Sequence, residues 1–225
     1  MSAMASLAKF PLLANTSAKL LVRYGAQSPT AGTAEMGWKA DSPGVNILLM
    51  IKTRNLRLVL WDEQHRAAFA AMHADPVVMA DQNGPIDPAE SDAKFDRYRL
   101  GWIEEGVSRW AIENRDGSFL GYTGVVHRLD EAHTLGAHFE IGWRLVVNAW
   151  GNGYATESAQ AALLDAVARV RPSEILTYTS PDNLRSQAVM SRLKLRRMPK
   201  RDFVVEKASG GVWQGLVWQA HAGAQ

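Results

Sequence analysis

The fold of this chain is decided by the stretch Trp143-Arg-Leu-Val-Val-Asn-Ala-Trp150-Gly-Asn-Gly153-Tyr-Ala155-Thr156-Glu-Ser-Ala159. An apolar run over residues 141–147 predicts a strand, which breaks at Asn148 into a glycine-bearing turn. The turn opens into an Ala-rich helical pattern. A glycine turn at a helix start leaves backbone N–H groups free, and the helix macrodipole adds partial positive charge there. The stretch therefore indicates a phosphate or pyrophosphate site, with a tight turn that binds no ligand as the alternative.

A second informative stretch lies downstream and reads Thr177-Tyr-Thr-Ser-Pro-Asp-Asn183-Leu-Arg-Ser186-Gln-Ala-Val189-Met190-Ser-Arg-Leu193. An extended run over residues 175–179 ends where Pro181 disfavours helix at the preceding residue. Asp182 or Asn183 can cap the helix that follows. Because Val189 and Leu193 are one turn apart, that helix has a face for the core.

The two stretches together resemble the GNAT superfamily of N-acyltransferases. The acyl-CoA pyrophosphate loop of that family reads Gln/Arg-x-x-Gly-x-Gly/Ala, and here it reads Trp150-Gly-Asn-Gly153-Tyr-Ala155, with Trp150 in the first position. The second stretch is similar to the family segment Asn-x-x-Ser-x-x-Val-Met-x-x-Leu-Gly, with Lys194 in place of the glycine. The wording Trp-Gly-x-Gly-Tyr-Ala-Thr-Glu resembles one branch, the ribosomal-protein alanine N-acetyltransferases (RimJ/RimL-type).

The resemblance implies an N-acetyltransferase that moves an acetyl group from acetyl-CoA, its co-substrate, to a primary amine. No His-Glu-x-x-His, paired-carboxylate or Cys/His spacing indicates a metal site. The resemblance also implies that pantetheine pairs with strand backbone, that loop amides hold the pyrophosphate, and that one asparagine contacts the pantetheine arm or thiol region. The strand residues are Leu145, Val146 and Val147; the loop residues are Gly151, Asn152, Gly153, Tyr154, Ala155 and Thr156; the asparagine is Asn183.

The candidate catalytic residues also come from the resemblance. Glu140 lies on the strand where several family members place a general base, and a structural partner inside the sheet is its alternative role. His138 is the second candidate base, two residues earlier on the same strand face. Many family members protonate the leaving thiolate with a Tyr seven residues after the Asn, where this chain has Met190. Ser186 is therefore the expected donor to the sulfur.

Composition sets the outer limits. The 225 residues are 47% hydrophobic, which is enough for one sizeable core, and the net charge is +2 with both signs spread throughout. The absence of Cys excludes disulfides and thiolate metal sites. No Lys/Arg-rich run indicates nucleic-acid binding, and no apolar run approaches the roughly 20 residues of a membrane span.

The first 49 residues differ from the rest, because they have no acidic residue before Glu35 and are rich in Ala, Ser, Gly and Thr. We interpret 1–49 as a mostly disordered extension, explained either by translation starting at Met50 or by an organelle transit segment. Residues 50–225 then form the acyl-CoA N-acyltransferase domain. We expect a cytoplasmic protein, with organelle import as the alternative, present as a monomer or homodimer.

The pattern from Met50 predicts the order β-α-α-β-β-β-α-β-α-β-β, an α/β three-layer fold with a mixed, mostly antiparallel sheet. By resemblance, the central strands 139–147 and 175–179 splay apart and CoA lies between them. We expect a peptide or protein α-amino group as the acceptor. The alternatives are a small-molecule amine and a CoA-binding sensor without turnover.

Overall fold

The computed structural model describes residues 50–82, 84–206 and 210–220. The predicted extension, 1–49, lies outside the described residues. In chain order the elements are β1 Met50–Lys52, β2 Leu56–Val59, α1 Arg66–Ala74, α2 Pro88–Glu104, β3 Arg109–Asn114, β4 Phe119–Arg128, β5 His138–Leu145, α3 Tyr154–Val170, β6 Ile175–Thr179, α4 Leu184–Arg192, β7 Arg196–Arg197, β8 Phe203–Glu206 and β9 Val212–Ala220.

The described strands form a mixed sheet in the order β1-β2-β3-β4-β5-β6-β9-β7, with β8 paired to β9. The pairings are antiparallel except the one between β5 and β6, which are joined through α3. The predicted mixed, mostly antiparallel fold is therefore confirmed. The short edge strands β1 and β7 were not predicted, because two or three residues carry no period.

Strand β5 ends earlier than its apolar run predicts. The N–H groups of Ala149 and Trp150 donate to the carbonyls of Val146 and Val147, both at 3.0 Å, and this closes a 3-10 turn over Val147–Ala149. The prediction that the strand continues to Val147 was wrong, because apolar residues suit a buried turn as well as a strand.

Helices α1 and α2 cover one face of the sheet. Their aromatic side chains pack on Tyr122 of β4, and Phe69 and Phe95 at the centre of this cluster are fully buried. Asp62 and Asp87 accept N–H bonds at the starts of the two helical segments, as expected of capping residues.

Helix α3 packs on the other face, where Arg169 lies over the ring of Trp110 from β3. The α3 side chains buried there are small, so the helix approaches the sheet closely; they are Ser158, Ala159, Ala162 and Ala166. Together with the covering of the opposite face by α1 and α2, this gives the predicted three layers. In the part of the chain that the structure describes, no helix combines the length and apolar character that a membrane crossing requires.

Candidate active site

The centre of the sheet contains a cleft between β5 and β6. The two strands pair at Phe139 with Ile175 and at Glu140 with Leu176, and no further β5–β6 pair follows among the described residues. Beyond that point β5 continues beside β4, whereas β6 continues beside β9. The predicted splay is therefore present, and its apex is at Glu140.

The backbone of β5 presents one edge to this cleft. Val146 donates its N–H to the carbonyl of Leu120 at 3.0 Å, so its amide is turned toward the β4 side. Because backbone groups alternate along a strand, Leu145 directs its own toward the cleft. The Leu145 carbonyl accepts a bond from Trp150 Nε1 at 2.9 Å, and the Val147 carbonyl is used in the 3-10 turn. Of the three residues expected to pair with pantetheine, Leu145 directs its N–H toward the cleft, while its carbonyl already accepts the Trp150 bond.

The glycine loop follows directly and begins α3. Gly151 and Gly153 both have φ of +79°, a conformation that favours glycine, and Gly153 is the N-cap. Asn152 shapes the turn by donating its side-chain amide to the Trp150 carbonyl at 3.0 Å. A Cβ at either glycine would meet no atom within 4 Å, so the space above the loop is open.

The loop has the features of an anion site. The N–H groups of the first turn, Tyr154 to Thr156, have no earlier turn to donate to. The Thr156 Oγ1 atom is buried and has no hydrogen-bond partner among the described residues. Open space and free amides at a helix start are together suited to an anion.

A cation that the sequence analysis did not predict lies beside this loop. The Arg185 guanidinium carbon, in the first turn of α4, is 3.9 Å from the centre of the Trp150 ring. Trp150 occupies the position where the family pattern has Gln or Arg. A positive charge is therefore still present at the loop, supplied from another helix.

Glu157 anchors the start of α3 to the first hairpin. Its Oε1 accepts from the Thr53 hydroxyl at 2.6 Å and from the Asn55 N–H at 2.7 Å, and its Oε2 accepts from the Asn55 side chain at 2.8 Å. Burial alone would raise the pKa of Glu157, but the bonds from Thr53 and Asn55 lower it. The carboxylate thus fixes the β1–β2 turn against the first turn of α3.

The cleft has two lips: β5 with the glycine loop forms one, and the start of α4 forms the other. Of the two predicted capping residues it is Asn183 that caps this helix, because its Oδ1 accepts the Ser186 N–H at 3.1 Å. Its Nδ2 donates to Asp81 at 3.0 Å, and Asp81 also accepts from Arg144 of β5 at 2.8 Å. Asp81 in the α1–α2 loop therefore bridges the two lips. Nothing in the sequence connects Asp81 to residues 63 and 102 positions away.

Glu140 is held by three donors at the apex. Its Oε1 is 2.7 Å from Arg109 Nη2, and its Oε2 is 2.6 Å from Arg128 Nε and 3.0 Å from the Tyr178 hydroxyl. Burial alone would raise the pKa of Glu140, but Arg109, Arg128 and Tyr178 lower it to about 2. Of the two roles expected for Glu140, these contacts support the structural partner, since a carboxylate with so low a pKa is a weak base.

Arg109 reaches Glu140 by crossing the sheet over a glycine. Its guanidinium lies above Gly142, whose carbonyl it bonds at 3.2 Å. A Cβ at Gly142 would be 2.8 Å from Arg109 Nη2, so the close approach requires glycine. The Arg109 side chain is 3% exposed and is therefore fixed in place beneath α2.

His138 begins β5 and shares the face of Glu140, as expected for residues two apart. Its Nδ1 lies 2.7 Å from the Gly136 carbonyl, an acceptor, which assigns the ring proton to Nδ1. Its Nε2 is buried and has no partner within the described part of the chain. The ring centre is 5.9 Å from that of Tyr178. His138 therefore keeps a free lone pair close to the apex.

Comparison with known proteins agrees with this architecture. A sequence profile described as the acetyltransferase (GNAT) domain matches residues 55–196, which is more than half of the chain. The chain belongs to the GNAT acetyltransferase family. It is accordingly an acyltransferase that uses acetyl-CoA.

A curated relative and several solved structures are similar to this GNAT chain. The uncharacterized protein YkkB of Bacillus subtilis (strain 168) is 32% identical over 126 residues, which cover 53% of this chain and 69% of that protein. An acetyltransferase from Agrobacterium tumefaciens str. C58 superposes with a TM-score of 0.64 and 24% identity, covering 76% of this chain and 94% of its own. A GNAT-family acetyltransferase from Bacillus anthracis has a TM-score of 0.61 and 18% identity, covering 77% and 99%.

A further structural neighbour is RimL, described as a ribosomal L7/L12 alpha-N-protein acetyltransferase in complex with coenzyme A. Its TM-score is 0.60 and its identity 16%, covering 76% of this chain and 97% of its own. At this identity the likeness is one of fold.

Proposed function

We propose that this GNAT enzyme moves the acetyl group of acetyl-CoA to the α-amino group of a peptide or protein. The observation that carries the proposal is the state of Glu140, whose two oxygens are occupied by three donors and whose pKa is about 2. An α-amino group with a pKa near 7.7–8.0 becomes neutral at pH 7 for roughly 1 kcal/mol, whereas Lys requires about 4.6 kcal/mol. A site without a strong carboxylate base suits the first kind of amine.

The fold neighbours support the same acceptor class. RimL, with which this chain shares its architecture, is described as acting on the α-amino end of a ribosomal protein. The sequence from Trp150 to Glu157, which resembles the ribosomal-protein alanine N-acetyltransferases, also favours a protein α-amino group as the acceptor.

For acetyl-CoA we propose the residues that the geometry makes available. The amides of Gly151 to Thr156 hold the pyrophosphate, Arg185 adds a cation beside them, and the backbone edge at Leu145 pairs with pantetheine. Asn183 contacts the arm at the opposite lip. Because Asp81 already accepts one of the Asn183 N–H bonds, the other remains for the co-substrate.

In the transfer step the amine nitrogen attacks the thioester carbonyl, the C–S bond breaks, and the sulfur leaves as a thiolate. The amine must lose a proton, and two groups on β5 compete for it. His138 Nε2 has no hydrogen-bond partner among the described residues, whereas both oxygens of Glu140 are occupied, so we assign proton acceptance to His138. Glu140 then fixes Arg109, Arg128 and Tyr178 around the apex. Ser186 donates to the departing sulfur, since Met190 cannot.

A screen of acceptors tests this proposal. Matched peptides with free or blocked N-termini, polyamines and aminoglycosides are offered with acetyl-CoA, and thiol release is measured. Turnover of free-N-terminus peptides alone is the expected result. Robust turnover of a polyamine or aminoglycoside, with every free peptide silent, would reject the peptide acceptor and leave a small-molecule acetyltransferase.

A further inference from the structure

The acceptor face of the cleft carries more positive than negative charge. This face is the side of the sheet beneath α2, and six charged side chains lie on it. Each of them either forms an ion pair there or lowers the pKa of Tyr122. The cations are Lys94, Arg109, Arg128 and Arg144, and the carboxylates are Asp81 and Glu140. Four cations against two carboxylates leave a surplus of two. One remains even if Asp130 is counted, whose Oδ1 accepts the Ala132 N–H of its own turn.

Two cations of this set have no carboxylate of their own. Arg144 is paired with Asp81, and Arg109 is paired with Glu140. Arg128 shares Glu140 through its Nε alone, and its side chain is 48% exposed. Lys94 is half-buried with Nζ 5.8 Å from the centre of the Tyr122 ring, and no described carboxylate lies within ion-pair distance of it.

Tyr122 responds to the same surplus. Burial alone would raise the pKa of its hydroxyl, but Lys94, Arg144 and Arg109 lower it below its ordinary value. Glu113 of β3 also lies on the helix-covered side of the sheet, and Arg57 pairs with it at 2.8 Å, so this pair leaves the surplus unchanged. Burial lowers the pKa of His133, and burial together with Glu140 raises that of Tyr178, and both shifts favour the neutral form of the ring.

Arg128 offers an anion site at the apex of the cleft. Its Nε is fixed to Glu140 at 2.6 Å, which sets the guanidinium at the apex where β5 and β6 part. Its two Nη groups make no hydrogen bond within the described residues. A guanidinium in this arrangement offers a planar pair of N–H groups, the geometry that a carboxylate accepts.

We propose that the acceptor carries a carboxylate close to its amine and that Arg128 binds this carboxylate. This rests on the proposed function and narrows it to peptides with an acidic residue at the first or second position. The positive surroundings also favour the neutral form of the bound amine, which is the form that attacks. Polyamines and aminoglycosides are disfavoured by the same charge.

Paired peptides test the inference. Two sequences that differ only in Asp or Lys at the second position are compared through kcat/KM in the wild type, Arg128→Gln, Arg128→Lys and Lys94→Gln. The control is Arg196→Gln, an exposed arginine on β7, which is four strands from β4 and therefore about 19 Å away across the sheet. The wild type and the control should prefer the acidic peptide by about tenfold or more, as for a bond to a charged group.

The Arg128→Gln variant should lose most of this preference, Arg128→Lys should retain part of it, and Lys94→Gln should weaken it without unfolding. Equal use of both peptides by the wild type, or an unchanged ratio in Arg128→Gln, would overturn the inference.

A second pair, γ-aminobutyrate and its uncharged amide, separates this inference from the proposed function. One outcome is that all peptides are silent while the wild type prefers γ-aminobutyrate to its amide and Arg128→Gln loses this preference. In that case the peptide acceptor is rejected and the anion site is supported. If neither pair shows the preference, the anion site is rejected.

Discussion

Replacing Glu140 by Gln tests whether this residue is a buried structural anion or a general base. Gln keeps the size of the side chain but removes the charge that Arg109 and Arg128 face at 2.7 and 2.6 Å. Because the Arg109 side chain is only 3% exposed, water cannot replace the lost partner. The variant should therefore be less stable as well as less active.

The size of the effect follows from the pKa. A carboxyl whose pKa is 4.5 in the unfolded chain and about 2 in the folded protein contributes roughly 3 kcal/mol at neutral pH. This agrees with the roughly 3–5 kcal/mol lost when one partner of a buried ion pair is removed. In a chain of this length the melting temperature should fall by about 6–12 °C.

The contribution of Glu140 to the free energy of unfolding depends on pH. Because folding lowers the pKa of Glu140, its contribution is complete above about 4.5 and is lost as the pH falls toward 2. The free energies of unfolding of wild type and Glu140→Gln, measured in urea, should differ at pH 7 and converge below pH 4.5. Glu131→Gln removes an exposed carboxylate and should stay within about 0.5 kcal/mol of the wild type throughout.

One outcome would refute this reasoning. If Glu140→Gln unfolds within about 0.5 kcal/mol of the wild type at pH 7 while turnover falls roughly 10²-fold or more, Glu140 is the base and the arginines are not its structural partners. A stable, fully active variant would remove Glu140 from both roles.

Other positions give independent checks. Gly153→Val should abolish acetyl-CoA binding in calorimetry, because φ is +79° there and the side chain would enter the open space above the loop; wild-type affinity would reject the loop as the pyrophosphate site. Gly142→Ala should destabilise the protein by about 1–3 kcal/mol in urea, since the new Cβ would be 2.8 Å from Arg109 Nη2, and unchanged stability would contradict the path of Arg109. Ser186→Ala should slow the transfer step modestly in pre-steady-state measurements; an unchanged rate excludes Ser186 from the mechanism.

The sequence predicts those features whose signals are local. The glycine loop, the Asn183 cap and the strand over residues 175–179 each depend on neighbours within a few positions, and the structure has all three. The splay was expected from the family resemblance, because strand periodicity does not say where two strands part. The predicted end of β5 was two residues too late, because Val147 is apolar and an apolar residue fits a buried turn as well as a strand.

The contacts that determine the chemistry are not local. Arg109 is 31 positions from Glu140, Tyr178 is 38 positions from it, and Asp81 is 102 positions from Asn183. A glycine inside a strand signals a close approach, but Gly142 does not reveal that a guanidinium makes it. Charge surplus on one face is likewise invisible in a chain whose net charge is +2.

These long-range contacts change how loss of activity at Glu140 should be interpreted. Glu140 holds Arg109 over Gly142, fixes Arg128 by its Nε and accepts the Tyr178 hydroxyl, so removing its charge disturbs three neighbours at the apex together. A fall in turnover alone would therefore look the same for a base and for a structural anion. Stability separates them, because a base contributes to the transition state whereas a buried ion pair contributes to the folded state at every step. The two quantities have to be measured on the same protein for either role to be assigned.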